Sequence, residues 1–159
     1  MPLKISLITS SRSGADRAML DWALANSIPH GGWCPLGTVT GAEPLDPKYR
    51  LKETETEAPL QSVESNVRDS DATLVFTLGP KAAGLAQKAV SLAKKTKKPV
   101  LHVHRAVLGA SERVTEFLDK HYVRRLHVTG STEEEEAGIG GWAAMTLDRV
   151  KSTFDRRPE

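Results

Sequence analysis

The sequence predicts an α/β protein with a doubly wound, mostly parallel sheet of about five strands and helices on both faces. Three observations support this class. Short runs rich in β-branched residues are bounded by turn formers, other segments repeat apolar residues at the helical period, and the two kinds alternate along the chain. The 159 residues are predicted to form a single domain, 1–159, that can bury a core of normal size.

Four runs have the character of strands in such a sheet. Each is short, contains β-branched residues and ends in charged or turn-forming residues. They are Leu3–Thr9, Ala72–Leu78, Pro99–His104 and Arg124–Thr129.

Five segments carry apolar residues on one helical stripe, namely Ala15–Asn26, Leu60–Asp69, Ala82–Lys95, Ser111–His121 and Ile139–Phe154. The last has the cleanest repeat and a wide apolar stripe that includes Trp142. Because closed symmetric assemblies are the usual outcome for such a surface, this helix predicts a homodimer or larger homo-oligomer. The lysines at 94–98 fall at a predicted helix end, where positive charge is favourable.

The segment Pro35–Thr56 fits neither pattern. It is long and interrupted by proline and glycine. Long ordered loops in compact domains are often functional, so this excursion is a candidate part of a site.

The composition limits the classes of partner that the chain is expected to bind. The formal net charge is +2, which gives no overall field for nucleic acid or membrane, and no apolar stretch is long enough to span a bilayer. A single cysteine, Cys34, excludes an internal disulfide and favours a cytoplasmic setting.

In a parallel sheet, ligands bind beyond the carboxyl ends of the strands, where the strand order reverses. The predicted strands end in residues 9–14, 78–83, 104–107 and 129–132, which should share one edge. A bound anion is therefore expected near Ser10–Gly14, Arg17 and Thr77–Lys81.

The loop ITSSRSGADR, residues 8–17, has two interpretations. Ser13 could cap the following helix, with Asp16 as its reciprocal partner. Arg17, however, places a cation in the first helical turn, where it opposes the helix dipole and favours a nearby anion. That anion could be Asp16, Asp21, or a phosphate or carboxylate of a ligand bound at the helix N-terminus.

Three stretches have the order and spacing of one known family: SGADRAMLDWAL (13–24), IPHGGWCPLG (28–37) and NVRDSDATLVF (66–76). With these stretches the chain resembles the "putative molybdenum carrier" family from Leu3 to about Val150. That family is a Rossmann-like group, circularly permuted relative to other lysine-decarboxylase-like nucleotide-binding proteins. The resemblance implies a Rossmann-like fold, subunits that pair through helices, and a nucleotide or pterin-like phosphorylated ligand at the strand ends. Molybdenum cofactor and nucleotides are thus the cofactors it implies.

The loops differ from the family pattern. Where the family usually has Ser-Gly-Gly-Gln-Thr-Gly, this chain has Ser-Ser-Arg-Ser-Gly at 10–14, and where it has Gly-Gly-Thr, the chain has Lys-Ala-Ala-Gly at 81–84. Fewer glycines allow fewer backbone amides to approach a phosphate. Arg12 and Lys81 are the candidate replacements for those amides.

The last predicted strand usually leads into Ala-Gly-Pro-Arg-Glu-Ser in the family. Here it leads into Thr-Gly-Ser-Thr at 129–132, followed by Glu133–Glu136. These glutamates suit a helix N-terminus and would repel a phosphate placed there.

The sequence predicts a carrier or sensor that binds a nucleotide-like or other phosphorylated small molecule without catalysis. A nucleotide-processing hydrolase of the phosphoribohydrolase type and a scaffold without ligand are the alternatives, although no glutamate lies in the context that the hydrolases use. The predicted ligand-binding residues are Ser10, Ser11, Arg12, Ser13, Gly14, Arg17, Gly32, Trp33, Thr77, Gly79, Lys81, Gly130 and Ser131. No catalytic residue and no metal ligand is predicted.

Two residues of the second stretch have competing interpretations. Trp33 could offer a flat face to a ligand ring or pack in the core. Cys34 is more typical of a small buried hydrophobe than of a reactive thiolate.

Polar residues elsewhere also have competing interpretations. His102 and His104 share one face of a predicted strand, and His127 could join them in a zinc site, although a half-exposed strand face explains them equally well. Arg68, Asp69 and Asp71 lie at the amino end of a strand, which favours a structural role.

Overall fold

The computed structural model describes residues 2–158 and confirms the predicted fold class. The elements, in chain order, are β1 (Ser6–Ile8), α1 (Ala15–Ala25), β2 (His30–Gly31), β3 (Trp33–Cys34), β4 (Lys52–Glu53), α2 (Pro59–Arg68), β5 (Ala72–Thr77), α3 (Gly84–Lys95), β6 (Val100–His104), α4 (Ala110–His121), β7 (Arg125–Gly130) and α5 (Ile139–Asp155).

The main sheet has five strands in the order β2-β1-β7-β5-β6, all parallel. The last strand of the chain, β7, therefore lies between β1 and β5. Helices α1, α4 and α5 pack together, as do α2 and α3, and the two groups cover opposite faces. The carboxyl ends of the strands share one edge, as predicted.

Alternation along β5 divides the core in two. Leu74 and Phe76 belong to the larger core under α1, α4 and α5, whereas Val75 packs with Val63 and Ala89 under α2 and α3. All six residues of β5 are buried. Helices on both faces make this strand apolar on both sides, which is typical of parallel sheets.

The predicted strands and helices are all present, with ends shifted by up to three residues. The largest difference is at the first strand, where the prediction begins at Leu3 and β1 begins at Ser6, the first residue paired with β7. Strands β2, β3 and β4 were not predicted. Each has two residues, too few to show any period.

The excursion 35–56 is ordered by its own hydrogen bonds. Its strand β4 pairs with β3 in a separate two-stranded sheet. The Glu53 carboxylate accepts hydrogen bonds from the amides of Gly37, Val39 and Thr40 at 2.8, 2.8 and 3.0 Å. The buried Tyr49 donates its hydroxyl to Asp21 of α1, which fixes the end of the excursion on the domain.

Asn66 and Asp69 hold Trp33 against α2. The Asn66 amide group exchanges hydrogen bonds with both backbone groups of Trp33, and the Trp33 indole donates to Asp69 at 2.8 Å. Lys52 Nζ and Arg68 Cζ lie 5.4 and 5.7 Å from the centre of the indole ring, so two cations contact Trp33. Cys34, next in sequence, is fully buried, and burial raises the pKa of its thiol, which disfavours a thiolate nucleophile.

Charged groups at the amino end of the sheet are structural, as predicted. The Asp71 carboxylate accepts the amides of Arg124 and Arg125 at 3.0 and 2.8 Å, which ties β5 to β7. Lys94 and Lys95 lie in the last turn of α3. Lys98 donates to three carbonyl groups at the end of α2, those of Val67, Arg68 and Ser70.

The apolar stripe of α5 lies inside the domain. Ile139, Ala143, Leu147 and Val150 belong to the larger core, and Trp142 packs edge-on against Phe76. The homo-oligomer therefore stays a prediction, and this stripe no longer supports it. Within residues 2–158, no helix is both long enough and apolar enough to cross a membrane.

The three strand histidines do not form a cluster, because β5 separates β6 from β7. His127 is hydrogen-bonded to Thr73 at 3.2 Å, and His102 to Thr77 at 2.6 Å. The part of the chain described contains no group of three His, Cys, Asp or Glu side chains placed to hold a metal ion.

Buried His127 should make stability depend on pH. Burial, with the nearby Arg12 charge, lowers its pKa to about 3 in the folded state, against an ordinary value of 6.5. Between these values the unfolded chain binds more protons, so the free energy of unfolding should fall as the pH drops from 6.5 towards 3, by at most about 1.4 kcal/mol per pH unit. As the pH is lowered from 7 to 4, the urea midpoint should fall more steeply for the wild type than for His127→Gln. Parallel curves would contradict this role.

Candidate ligand-binding site

Ser13 does not cap helix α1, so that interpretation of the loop after β1 is wrong. The residue before α1 is Gly14, with φ of 80°, and Ser13 donates its hydroxyl to Glu134. The reason is a close approach of the segment after β7. A Cβ on Gly14 would lie 2.5 Å from the Ser131 carbonyl oxygen, and the Ala15 amide donates to that oxygen.

Asp16, the expected partner of Ser13, instead belongs to a buried network at the end of β7. Its carboxylate accepts Thr129 Oγ1 at 2.7 Å and Arg12 Nε at 3.3 Å. Arg12 Nη2 also donates to the Gly130 carbonyl oxygen at 3.1 Å. Burial raises the pKa of Asp16, while Arg12 and Thr129 oppose the shift. The network joins α1, the loop after β1 and β7.

A cavity of about 110 Å³ lies beside this network, between the carboxyl edge of the sheet and helices α2 and α3. We call it the Arg12 cavity. Its polar lining comprises Ser10, Ser11, Arg12, Asp16, Thr38, Ser62, Asn66, His127 and Thr129, and its apolar lining comprises Pro35, Pro59, Val63 and Leu85. The excursion thus contributes to the site through residues 35 and 38.

Ser62 is the unusual residue of this lining. Its side chain is 1% exposed, and its hydroxyl has no hydrogen-bond partner among residues 2–158. Buried polar groups in folded proteins nearly always have a partner, because leaving one unpaired costs about 1–3 kcal/mol. Because Ser62 lines the cavity, its unpaired hydroxyl is a candidate contact for a ligand.

Arg17 lies outside the lining of the cavity. Its Nη2 donates to the Ser11 carbonyl oxygen at 2.7 Å, and its guanidinium lies 5.2 Å from the centre of the Tyr49 ring. In the described chain it forms no ion pair with Asp16, Asp21 or another carboxylate. Arg17 therefore connects the loop after β1 with the excursion.

The crevice between β5 and β7 contains a carboxylate of the protein itself. Strand β5 leads to α3 on one face and β7 leads to α5 on the other, so this crevice is where ligands of doubly wound sheets bind. Here Glu136 accepts the amides of Leu78 and Gly79, both at 2.8 Å, and the Ser131 hydroxyl at 2.6 Å. The predicted ligand residues Gly79 and Ser131 thus bind Glu136.

Glu133 stabilises the start of α5, as the sequence predicted for this acidic run. Its carboxylate accepts the amides of Gly138 and Gly140 at 2.8 and 3.0 Å. An anion at this end of a helix is favourable because it faces the positive end of the dipole and satisfies unpaired amides.

The structure brings three predicted site residues into the Arg12 cavity: Ser10, Ser11 and Arg12. The others lie outside its lining, namely Ser13, Gly14, Arg17, Gly32, Trp33, Thr77, Gly79, Lys81, Gly130 and Ser131. Gly32, with φ of 134°, packs directly on the Thr9 backbone, where a side chain does not fit. The Thr77 hydroxyl donates to the Gly79 carbonyl oxygen at 2.7 Å, and Lys81 is exposed.

Several residues of the lining were not predicted from the sequence. His127 and Thr129 alternate along β7, and Ser62 and Asn66 lie four residues apart on the buried side of α2. Polar residues at buried positions of predicted elements were therefore an available signal. The sequence did not show that β7 and α2 face each other across one cavity.

A second, larger groove of about 260 Å³ lies at the amino end of the sheet. It is lined largely by apolar groups such as Leu3, Leu118 and Phe154. Ligands of parallel sheets bind at the other edge, so the Arg12 cavity is the candidate site.

The parallel sheet, the helices on both faces and the polar cavity at the carboxyl edge define a Rossmann-like α/β protein. Residues 7–151 match the profile described as the circularly permutated YpsA SLOG family, and the chain belongs to that family. It is also similar to a crystal structure titled "Putative molybdenum carrier protein" from Syntrophus aciditrophicus SB, with 31% identity and a TM-score of 0.83. The similarity covers 94% of this chain and 95% of that one. None of the curated proteins matches.

Replacing Arg17 should test its structural role. We expect Arg17→Ala to lower the free energy of unfolding by about 1–2 kcal/mol, through loss of the hydrogen bond to Ser11 and of the contact with Tyr49. Urea midpoints would measure this. Lys48→Ala is the matched control, because Lys48 is exposed and lies over the same ring.

A loss of about 3 kcal/mol or more in Arg17→Ala would point instead to a stranded buried carboxylate. An unchanged midpoint combined with weaker anion binding would show that Arg17 serves a ligand.

Proposed function

We propose that this chain binds a small molecule through a phosphate or related oxyanion group in the Arg12 cavity, as a carrier or sensor without catalysis. The observation that supports this most is Ser62, whose buried hydroxyl has no partner among the described residues and which lines the cavity together with Arg12. An oxyanion would accept hydrogen bonds from both groups.

The hydrogen bonds of Arg12 leave part of its guanidinium for a ligand. Nε and Nη2 bind Asp16, Thr129 and Gly130, whereas Nη1 makes no hydrogen bond to another described residue. Hydrogen bonds between charged groups and an oxyanion are stronger than neutral ones. The network with Asp16 also fixes the position of the guanidinium before a ligand arrives, which reduces the entropy lost on binding.

The size of the cavity limits what it can enclose. Pockets that surround a whole drug-sized molecule measure roughly 300–1,000 Å³, whereas the Arg12 cavity measures about 110 Å³. One tetrahedral group inside the cavity, with the rest of the ligand outside it, fits this volume.

The similar protein from Syntrophus aciditrophicus SB is described as a "Putative molybdenum carrier protein". Molybdate, the phosphorylated pterin of molybdenum cofactor and nucleotides all present tetrahedral oxyanion groups. These three are therefore the ligands we propose to test on this chain.

Ser62→Ala should separate binding from stability. It removes an unpaired buried hydroxyl, so we expect an unchanged or slightly higher urea midpoint, together with roughly tenfold or greater loss of affinity for molybdate, phosphate or a nucleoside monophosphate by calorimetry. Ser70→Ala is the matched control, because the Ser70 hydroxyl is also buried and unpaired within the described chain but lies outside the cavity.

Equal affinities for Ser62→Ala and Ser70→Ala would contradict the proposed site. Wild-type protein that binds none of molybdate, phosphate and a nucleoside monophosphate would favour a scaffold role, and release of base from a nucleoside monophosphate would favour a hydrolase.

A further inference from the structure

We infer that the crevice between β5 and β7 is an oxyanion-binding site with an internal ligand, the Glu136 side chain, which excludes external anions from it. We call it the Glu136 crevice, formed by the amides of Leu78 and Gly79 and the hydroxyl of Ser131. The Glu136 crevice is separate from the Arg12 cavity.

The donors of the crevice surround both oxygens of the carboxylate. Oε1 accepts the Leu78 amide and the Ser131 hydroxyl, and Oε2 accepts the Gly79 amide. Two successive amides that converge on one anion are a recurrent way of binding phosphate. A Cβ on Gly79 would lie 3.4 Å from Oε2, so the carboxylate lies directly against this glycine.

Partial burial of Glu136 acts to raise the pKa of its carboxyl group, but Ser131, Leu78 and Gly79 donate hydrogen bonds that lower it below its usual range. Arg105 adds a favourable charge. The carboxylate is thus ionised at neutral pH and acts as the anion of the crevice.

The segment that carries Glu136 is attached on both sides. On the amino side of Glu136, the Glu135 carboxylate accepts the Thr132 amide at 2.9 Å. On its carboxyl side, the amides of Gly138 and Gly140 at the start of α5 donate to the Glu133 carboxylate. A ligand held within the same molecule has a high effective concentration. An external phosphate must therefore displace a competitor that is always present.

The two anion positions use different residues. None of the donors of the Glu136 crevice lines the Arg12 cavity, and Glu136 does not line it either. Failure of one proposal can therefore be distinguished from failure of the other.

Rescue of Glu136→Ala by an added anion tests the inference. The substitution leaves three donors without an acceptor, so we expect a lower melting temperature. Inorganic phosphate at matched ionic strength should then raise that temperature by about 3 °C or more beyond its effect on the wild type. Glu136→Gln, which fills the same volume, keeps one acceptor oxygen and turns an NH₂ group towards one of the two amides, should show no such rescue.

Glu134→Ala is the control, because Glu134 is an exposed neighbour whose carboxylate accepts the Ser13 hydroxyl and none of the donors of the Glu136 crevice. Rescue should persist in Arg12→Ala/Glu136→Ala, since the crevice does not use Arg12. If Glu136→Ala does not fold in buffer, its refolding yield from urea should rise with phosphate concentration.

Equal effects of phosphate on Glu136→Ala and Glu134→Ala, in melting or in refolding, would overturn the inference. Loss of rescue in the double variant would also overturn it, because the anion would then bind in the Arg12 cavity, which would support the proposed function instead.

Discussion

Backbone amides at the carboxyl edge of the sheet need acceptors, and in this chain glutamate side chains supply them. Amides that are shielded from water and unpaired cost free energy, so the loops at this edge require an anion or another acceptor. Glu136 satisfies Leu78 and Gly79, and Glu133 satisfies the start of α5. The segment after β7 consequently packs on the loop after β1, and it is this contact that requires glycine at position 14.

That packing changes where a ligand can bind. The crevice between β5 and β7, which is the expected position in a doubly wound sheet, is filled by Glu136. The nearby polar space is the Arg12 cavity on the α2 and α3 side, where Asp16 and Thr129 fix the guanidinium. This edge of the sheet thus has two anion positions, one filled by the protein and one that we propose is filled by a ligand.

The fold was more predictable than the site because the two depend on different information. Buried strands and amphipathic helices such as Ala72–Thr77 and Ile139–Asp155 leave local patterns in the sequence. Asp16 shows the limit of such patterns. Its position near Ser13 suggested a local cap, but burial beside β7 gives it Thr129 as a partner, 113 residues away. The partners of Glu136 and the enclosure of Ser62 likewise depend on tertiary packing, which a single sequence does not display.

The position of molybdate in crystals of the wild-type protein would test the central claim most directly. Anomalous scattering from molybdenum locates the ion without ambiguity among the two anion positions. We predict an anomalous-scattering peak within hydrogen-bond distance of Arg12 and Ser62, with Glu136 still bound to Leu78 and Gly79. A peak between the Leu78 and Gly79 amides with Glu136 displaced, or no peak in the Arg12 cavity, would contradict it.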